Sequence, residues 1–248
     1  SSDLNRVIWD RRGDLLAFRS TRRNGRSSDI WVQPVEDSGP ARMILSTEDG
    51  TLWKPVDFSR NGKLLLVQQF ISIADSRVHV LNLESGELRM VAGDPENPSS
   101  NIATGFGRKD ENIFFVTNQR EGAAELAMAS LNAGTETTFV RSMGSWDITH
   151  FVLSPDRRRG AFVANEAGIS RLYLFDAERL AIKPVNKIPV GVISGLRFSP
   201  DSRKLGMTLN SAQSPSDAYV LNLGSRLLVA EKLTRWTFSE VGGLDTDK

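Results

Sequence analysis

The chain has 248 residues, with 31 Lys+Arg against 30 Asp+Glu and no cysteine. That length is enough to bury a sizeable core in one large all-β domain or two ordinary ones, and the 40% hydrophobic content, raised to about 48% by the 20 glycines, is the usual globular share. Balanced charge gives no global pull toward nucleic acid or an anionic membrane, and the lack of cysteine excludes disulfides and Cys-ligated zinc.

The opening "SSDLNRVIW" has neither a basic n-region nor an apolar h-region, so no signal peptide is read here. A polar start running straight into strand-like sequence suggests a trimmed or partial chain. The compartment stays open between cytoplasm and periplasm. No apolar run approaches the roughly 18 residues of a membrane span; the longest pieces resemble Leu64-Leu65-Leu66-Val67.

Along the chain one phrase recurs: an apolar strand, a polar tetrad, then a second apolar strand. Its copies are "VIWDRRGDLLAF", "VDFSRNGKLLLV", "GFGRKDENIFFV", "FVLSPDRRRGAFV" and "LRFSPDSRKLGMTL". Their anchors are Asp10, Ser59, Gly107, Ser154 and Ser199, so the steps are 49, 48, 47 and 45 residues. Each copy continues into a third strand ("DIWVQPV", "RVHVLNL", "ELAMASL", "RLYLFDA", "DAYVLNL"), then a turn such as Glu84-Ser85-Gly86-Glu87 and a short fourth strand. Four strands in such a period are the mark of a β-propeller blade. The expected fold is therefore all-β, a β-propeller with five visible four-stranded blades over residues 1–235.

The tetrads explain themselves as turns. Ser or Asp at the first position accepts a backbone hydrogen bond, Pro presets φ at the second, and Gly suits the fourth. Ser154 and Ser199 are thereby read as turn residues, not nucleophiles. The basic clusters Arg22-Arg23-Asn24-Gly25-Arg26 and Arg157-Arg158-Arg159 read as solvated turn faces. Trp53, Trp146 and Trp236 lie just upstream of real or expected anchors and read as packing groups between blades.

Catalytic chemistry is missing from the pattern. There is no G-x-S-x-G elbow, H-E-x-x-H pair or G-x-x-x-x-G-K-[ST] loop, and "GFGRKD" lacks the third glycine and helix of a dinucleotide site. His79 and His150 sit in or beside strands and read as structural; two histidines without cysteine make a poor metal kit. Asp57, Asp147 and Asp176 are scattered, without the paired arrangement of acid–base hydrolysis. No catalytic, cofactor-binding or metal residue is expected, and no cofactor.

Four stretches carry a resemblance: "STRRNGRSSDIWV" (20–32), "LLLVQQFISIADSRVHVLNLESGE" (64–87), "KIPVGVISGLRFSPDSRKLGMTLNSAQSPSDAYVLNL" (187–223) and "KLTRWTFSEVGGLD" (232–245). Together they resemble the propeller domain of bacterial prolyl oligopeptidase-family serine peptidases, the group of dipeptidyl aminopeptidases and acylaminoacyl peptidases. Ser-Pro-Asp turns are shared with TolB-like propellers; the longer stretches are more specific.

The resemblance implies seven blades, so about two would precede Ser1. It also implies that Leu233–Leu244 leads toward an α/β-hydrolase domain, with 236–248 as the start of a linker and the catalytic triad beyond Lys248. The polar, Gly-rich "SEVGGLDTDK", standing where another anchor would fall, fits that reading. The implied function is non-catalytic: a propeller that gates the access of short peptides to the hydrolase domain of the same polypeptide. Ile71, Ser72, Ile73, Ala74, Asp75 and Ser76 form an unusually long hairpin connection and are the candidate substrate-facing loop. The alternative is a TolB-like interaction scaffold. A sugar-processing propeller would need converging carboxylates and is disfavoured.

Overall fold

The computed structural model describes residues 5–36, 39–120, 122–132, 136–140, 146–212 and 214–237, without the side chains of 5–6 and 214–215. Among these residues there is no helix, and the strands form five four-stranded antiparallel sheets, each a simple meander. Blade 1 holds β1 (Asn5–Trp9), β2 (Leu15–Ser20), β3 (Asp29–Pro34) and β4 (Arg42–Leu45). Blade 2 holds β5 (Leu52–Phe58), β6 (Leu64–Phe70), β7 (Ser76–Asn82) and β8 (Leu88–Ala92). Blade 3 holds β9 (Asn101–Phe106), β10 (Asn112–Thr117), β11 (Glu125–Ser130) and β12 (Thr137–Phe139). Blade 4 holds β13 (Asp147–Leu153), β14 (Arg159–Glu166), β15 (Ile169–Asp176) and β16 (Ala181–Pro184). Blade 5 holds β17 (Val192–Phe198), β18 (Lys204–Ser211), β19 (Ser214–Leu223) and β20 (Ala230–Arg235).

The blades group into two compact units. Residues 1–121 and 126–139 carry blades 1 to 3, and residues 122–125 and 140–248 carry blades 4 and 5. In each unit the core lies between neighbouring sheets, because a single twisted sheet cannot bury its own face. Ala17, Ile30 and Val32 of blade 1 meet Phe58, Leu65, Val67 and Leu81 of blade 2. The other face of blade 2 places Leu66, Val78 and Val80 against Phe106, Ile113 and Phe115 of blade 3. In the two-blade unit, Ala161, Val163, Leu172 and Leu174 pack on Ile193, Leu205, Met207 and Leu209. This two-sided burial is why the middle strands read apolar on both faces.

Every anchor turn is built alike. The carbonyls of Asp10, Ser59, Gly107, Ser154 and Ser199 accept the N–H three residues on, at 2.8–3.3 Å. In four of the five, the anchor side chain then closes on the residue that opens the second strand. Asp10 Oδ1 accepts Leu15 N–H at 3.0 Å, Ser59 Oγ accepts Leu64 N–H at 2.9 Å, and Ser199 Oγ accepts Lys204 N–H at 2.9 Å. Ser154 Oγ accepts from Arg159 N–H at 3.2 Å and donates to Asp156 at 2.6 Å. The fourth turn position is left-handed in all five: Gly13 (φ 81°), Gly62 (71°), Asp110 (59°), Arg157 (59°) and Ser202 (61°). Glycine suits that conformation, but only two turns use it.

Carboxylates that look scattered in sequence also serve the backbone. Asp57 Oδ2 accepts Phe106 N–H across blades 2 and 3 at 2.8 Å, and Asp147 Oδ1 accepts Ala124 N–H at 2.7 Å. Asp176 Oδ1 accepts the N–H groups of Glu178 and Arg179, both at 3.0 Å.

The tryptophan expectation holds for one of three. Trp53 is buried in the blade 1–blade 2 core, and its Nε1 donates to Asp49 at 2.9 Å. Trp146 and Trp236 are 39% and 66% exposed. Trp146 stands just before β13 and Trp236 just after β20.

Candidate functional site

An antiparallel meander sorts the connections of each blade onto two ends. Turns from first to second strand and from third to fourth share one end, the anchor end. The connections from second to third strand, and from the fourth strand to the next blade, share the other. Neighbouring blades keep this order: Arg60 N–H reaches Asp110 at the anchor end (2.7 Å), and Asn101 N–H reaches Ser76 Oγ at the opposite end (2.8 Å).

The two ends differ chemically. Of the eleven exposed large apolar side chains among the described residues, eight lie at the end opposite the anchors. In the three-blade unit these are Leu52, Ile71, Ile73 and Ile102; in the two-blade unit they are Trp146, Val190, Val192 and Trp236. Valines 190 and 192 line an open groove of about 550 Å³ with Gly168, Pro189 and Asn210. A second cavity of about 250 Å³ beside it is lined by Glu166, Arg171, Tyr173 and Lys187. There the Tyr173 hydroxyl donates to Glu166, and burial together with that carboxylate pushes the phenol up to about 12.

The loop singled out from the sequence stands at this apolar end. Residues 71–75 link β6 to β7 and are folded on themselves. Ser72 N–H donates to the Asp75 carbonyl at 2.9 Å, and Ser72 Oγ accepts the N–H groups of Ala74 and Asp75 at 3.2 and 3.1 Å. Asp75 pairs with Arg77 at 3.2 Å. This self-bonded turn presents Ile73 at 90% exposure, beside Ile71 and near Leu52, whose strand partner is Phe70. Ser76 is placed differently. It opens β7, is 1% exposed, and donates from Oγ to the Asn101 carbonyl at 3.0 Å. The length expected to mark this connection does not set it apart, since its five residues are fewer than the eight between β2 and β3; the exposed residues of the neighbouring connections were not singled out.

His79, inside β7, is buried against Trp53, with ring centroids 4.9 Å apart. Burial pushes its imidazole down to about 4; the Arg77 charge adds to this and Asp49 opposes it. Its Nδ1 has no hydrogen-bond partner. His150 is exposed on β13 with Thr149 Oγ1 at 3.3 Å. No group of three or more His, Asp or Glu able to hold a metal occurs among the described residues.

The fold defines a class, the β-propellers built of four-stranded blades. The sequence matches no protein-family model and no curated protein. Among solved structures, the chain is similar to prolyl oligopeptidase B from Galerina marginata bound to a 35mer hydrolysis and macrocyclization substrate. The TM-score is 0.78 at 12% identity, over 97% of this chain and 34% of that one. Oligopeptidase B from Trypanosoma brucei with covalently bound antipain matches with TM-score 0.68 and 15% identity, over 92% of this chain and 34% of that one. TolB from Acinetobacter baumannii matches with TM-score 0.66 and 16% identity, over 90% of this chain and 52% of that one. At such identities the likeness establishes the fold. The chain spans about a third of the length of the peptidases and half that of TolB.

Proposed function

We propose that this chain is the non-catalytic propeller portion of a prolyl oligopeptidase-type serine peptidase, with a hydrolase domain elsewhere in the same polypeptide. The observation that carries this reading is the gathering of exposed apolar side chains at one end of the blades in both units. Exposed apolar surface of this kind marks a contact with a partner or a ligand. β20 also runs toward that end, so Trp236 and Thr237 lie on it, and a following domain would stand over the same surface. Of the proposed linker 236–248, the other residues lie outside the described ones.

The mechanism in this reading is steric. A propeller over the hydrolase site leaves a narrow route, so short unfolded peptides reach the nucleophile and folded proteins do not. The loop 71–75 would meet either the hydrolase domain or the peptide. The five anchor residues are turn formers and take no part in the chemistry.

A fluorophosphonate probe tests the division of labour. It should label the natural full-length polypeptide outside residues 1–248 and leave this chain unlabelled; labelling within these residues overturns the reading. The likeness to TolB favours a second reading, an interaction scaffold without a hydrolase. The coding sequence that follows discriminates the two. A G-x-S-x-G elbow with later Asp and His supports the peptidase, and a stop codon or an unrelated module supports the scaffold.

A further inference from the structure

Blade 4 and the connection that follows it enclose a small cavity whose walls come from one strand face. Glu166 closes β14, and a two-residue turn at Ala167 (φ 51°) and Gly168 (φ 86°) leads into β15. Two consecutive left-handed residues make the turn that suits a tight hairpin, and Asn165 Oδ1 accepts the Gly168 N–H at 3.0 Å. Alternation along β15 puts Ile169, Arg171 and Tyr173 on one face, and Glu166, the strand partner of Ile169, stands on the same face. The opposite face sends Leu172 and Leu174 into the core. Tyr173 is held by its ring, stacked on Phe162 with centroids 5.0 Å apart, and by its hydroxyl, which donates to Glu166 Oε1.

The far wall is the connection from β16 to β17. β16 ends at Pro184, opposite Tyr173, and the Val185 N–H donates to the Leu172 carbonyl at 2.9 Å. The chain then turns at Lys187, whose φ of 63° is left-handed. A lysine in that conformation is strained, and strain of this kind gathers at ligand sites. Lys187 thereby lines the cavity of about 250 Å³ with Glu166, Arg171 and Tyr173, and Ile169 and Ile188 add apolar wall.

Hydrogen-bonding capacity is left over on both sides of this cavity. Glu166 Oε1 is taken by Tyr173, but Oε2 has only Arg171 Nε at 3.8 Å, beyond hydrogen-bond reach. Among the described residues, the Arg171 guanidinium has no ion pair or hydrogen bond besides this loose contact, and the Lys187 ammonium has none.

We infer that this cavity binds a free apolar α-amino acid as its zwitterion. A lone anion would have to face Glu166, and a lone cation would have to face Arg171 and Lys187. A molecule with ammonium and carboxylate on one carbon satisfies both. Its N–H groups donate to Glu166 Oε2, its carboxylate accepts from Arg171 and Lys187, and its side chain lies against Ile169 and Ile188. The cavity is smaller than those that hold drug-sized ligands, which suits one amino acid rather than a peptide. All lining residues come from blade 4 and the connection after it, so the site is the same with or without a hydrolase domain.

The test is binding of L-leucine to the full chain by ligand-observed NMR. Leucinamide, which lacks the carboxylate, and N-acetylleucine, which lacks the ammonium, are the comparisons. Leucine should bind at least about tenfold more tightly than either, the loss expected when one charged hydrogen bond goes unmade. E166Q, which keeps an acceptor for Tyr173, should weaken leucine but not N-acetylleucine. R171Q/K187Q should weaken leucine but not leucinamide, and K63Q in the three-blade unit should bind leucine as the parent does. These ligand-specific losses separate a lost contact from a lost fold, which would weaken all three ligands alike. No binding of leucine at millimolar concentration, equal binding of leucine and either blocked analogue, or unchanged leucine binding by both variants would overturn the inference.

Discussion

Asn112 occupies the space that a side chain at Gly107 would need: a Cβ added at Gly107 would stand 1.9 Å from Asn112 Oδ1. Four anchors close their turn with their own side chain on the residue five positions later. Blade 3 reverses the roles, with no side chain at the anchor and a polar one at the fifth residue.

Gly107→Ser should therefore destabilise the chain by about 1–3 kcal/mol, the usual cost of overpacking. The double variant G107S/N112L installs the Ser59–Leu64 pair of blade 2 and should recover most of that loss. Chemical denaturation of the two single variants and the double variant measures the coupling; additive effects would show that the residues do not share one space.

The left-handed fourth turn position yields a prediction of opposite sign. Arg157 holds φ 59° at a site where Gly62 holds 71° in blade 2. Arg157→Gly should raise stability by about 0.5–1 kcal/mol, the relief of αL strain less the entropy cost of glycine. Gly62→Ala should lower stability by about 1 kcal/mol. Thermal unfolding of both variants checks the pair, and a loss for Arg157→Gly would mean that its side chain matters more than its backbone.

Burial of His79 makes folding sensitive to mild acid. The imidazole is pushed down to about 4, below its ordinary value of 6.5. The unfolded chain then binds more protons between those values, so the stability contribution is complete above pH 6.5 and is lost as pH falls toward 4. The expected loss is on the order of 3 kcal/mol. His79→Phe keeps the contact with Trp53 and should flatten this part of the stability–pH curve; parallel curves for parent and variant would refute the assignment.

The apolar end can be probed without disturbing the core. Ile73 is 90% exposed on a loop closed by its own hydrogen bonds. Ile73→Glu should change unfolding free energy by less than about 0.5 kcal/mol while reducing hydrophobic-dye binding. In the full-length protein it should weaken whatever contact this end makes. A large stability loss would place Ile73 in the core instead.

The sequence alone determined the strands, their count per repeat and the turns between them. The reason is range: an anchor turn is closed by bonds between residues three and five apart, such as Ser59 with Gly62 and Leu64, so a short stretch of sequence carries the bonds that close it. The roles of Ser154 and Ser199 as turn formers were legible for the same reason. Tertiary structure decided what depends on residues far along the chain. Ser76 reads as the last residue of a loop, yet it is buried because Asn101, at the start of the next blade, receives it. Trp53 and Trp146 occupy similar places before an anchor, yet only the first is covered, since burial depends on the neighbouring sheet and not on the repeat. The gathering of exposed apolar side chains at one end of the blades also appears only when the meander sorts alternate connections to opposite sides. Residues such as Ile73 and Ile102, distant in sequence, then share one surface by the direction in which their strands run.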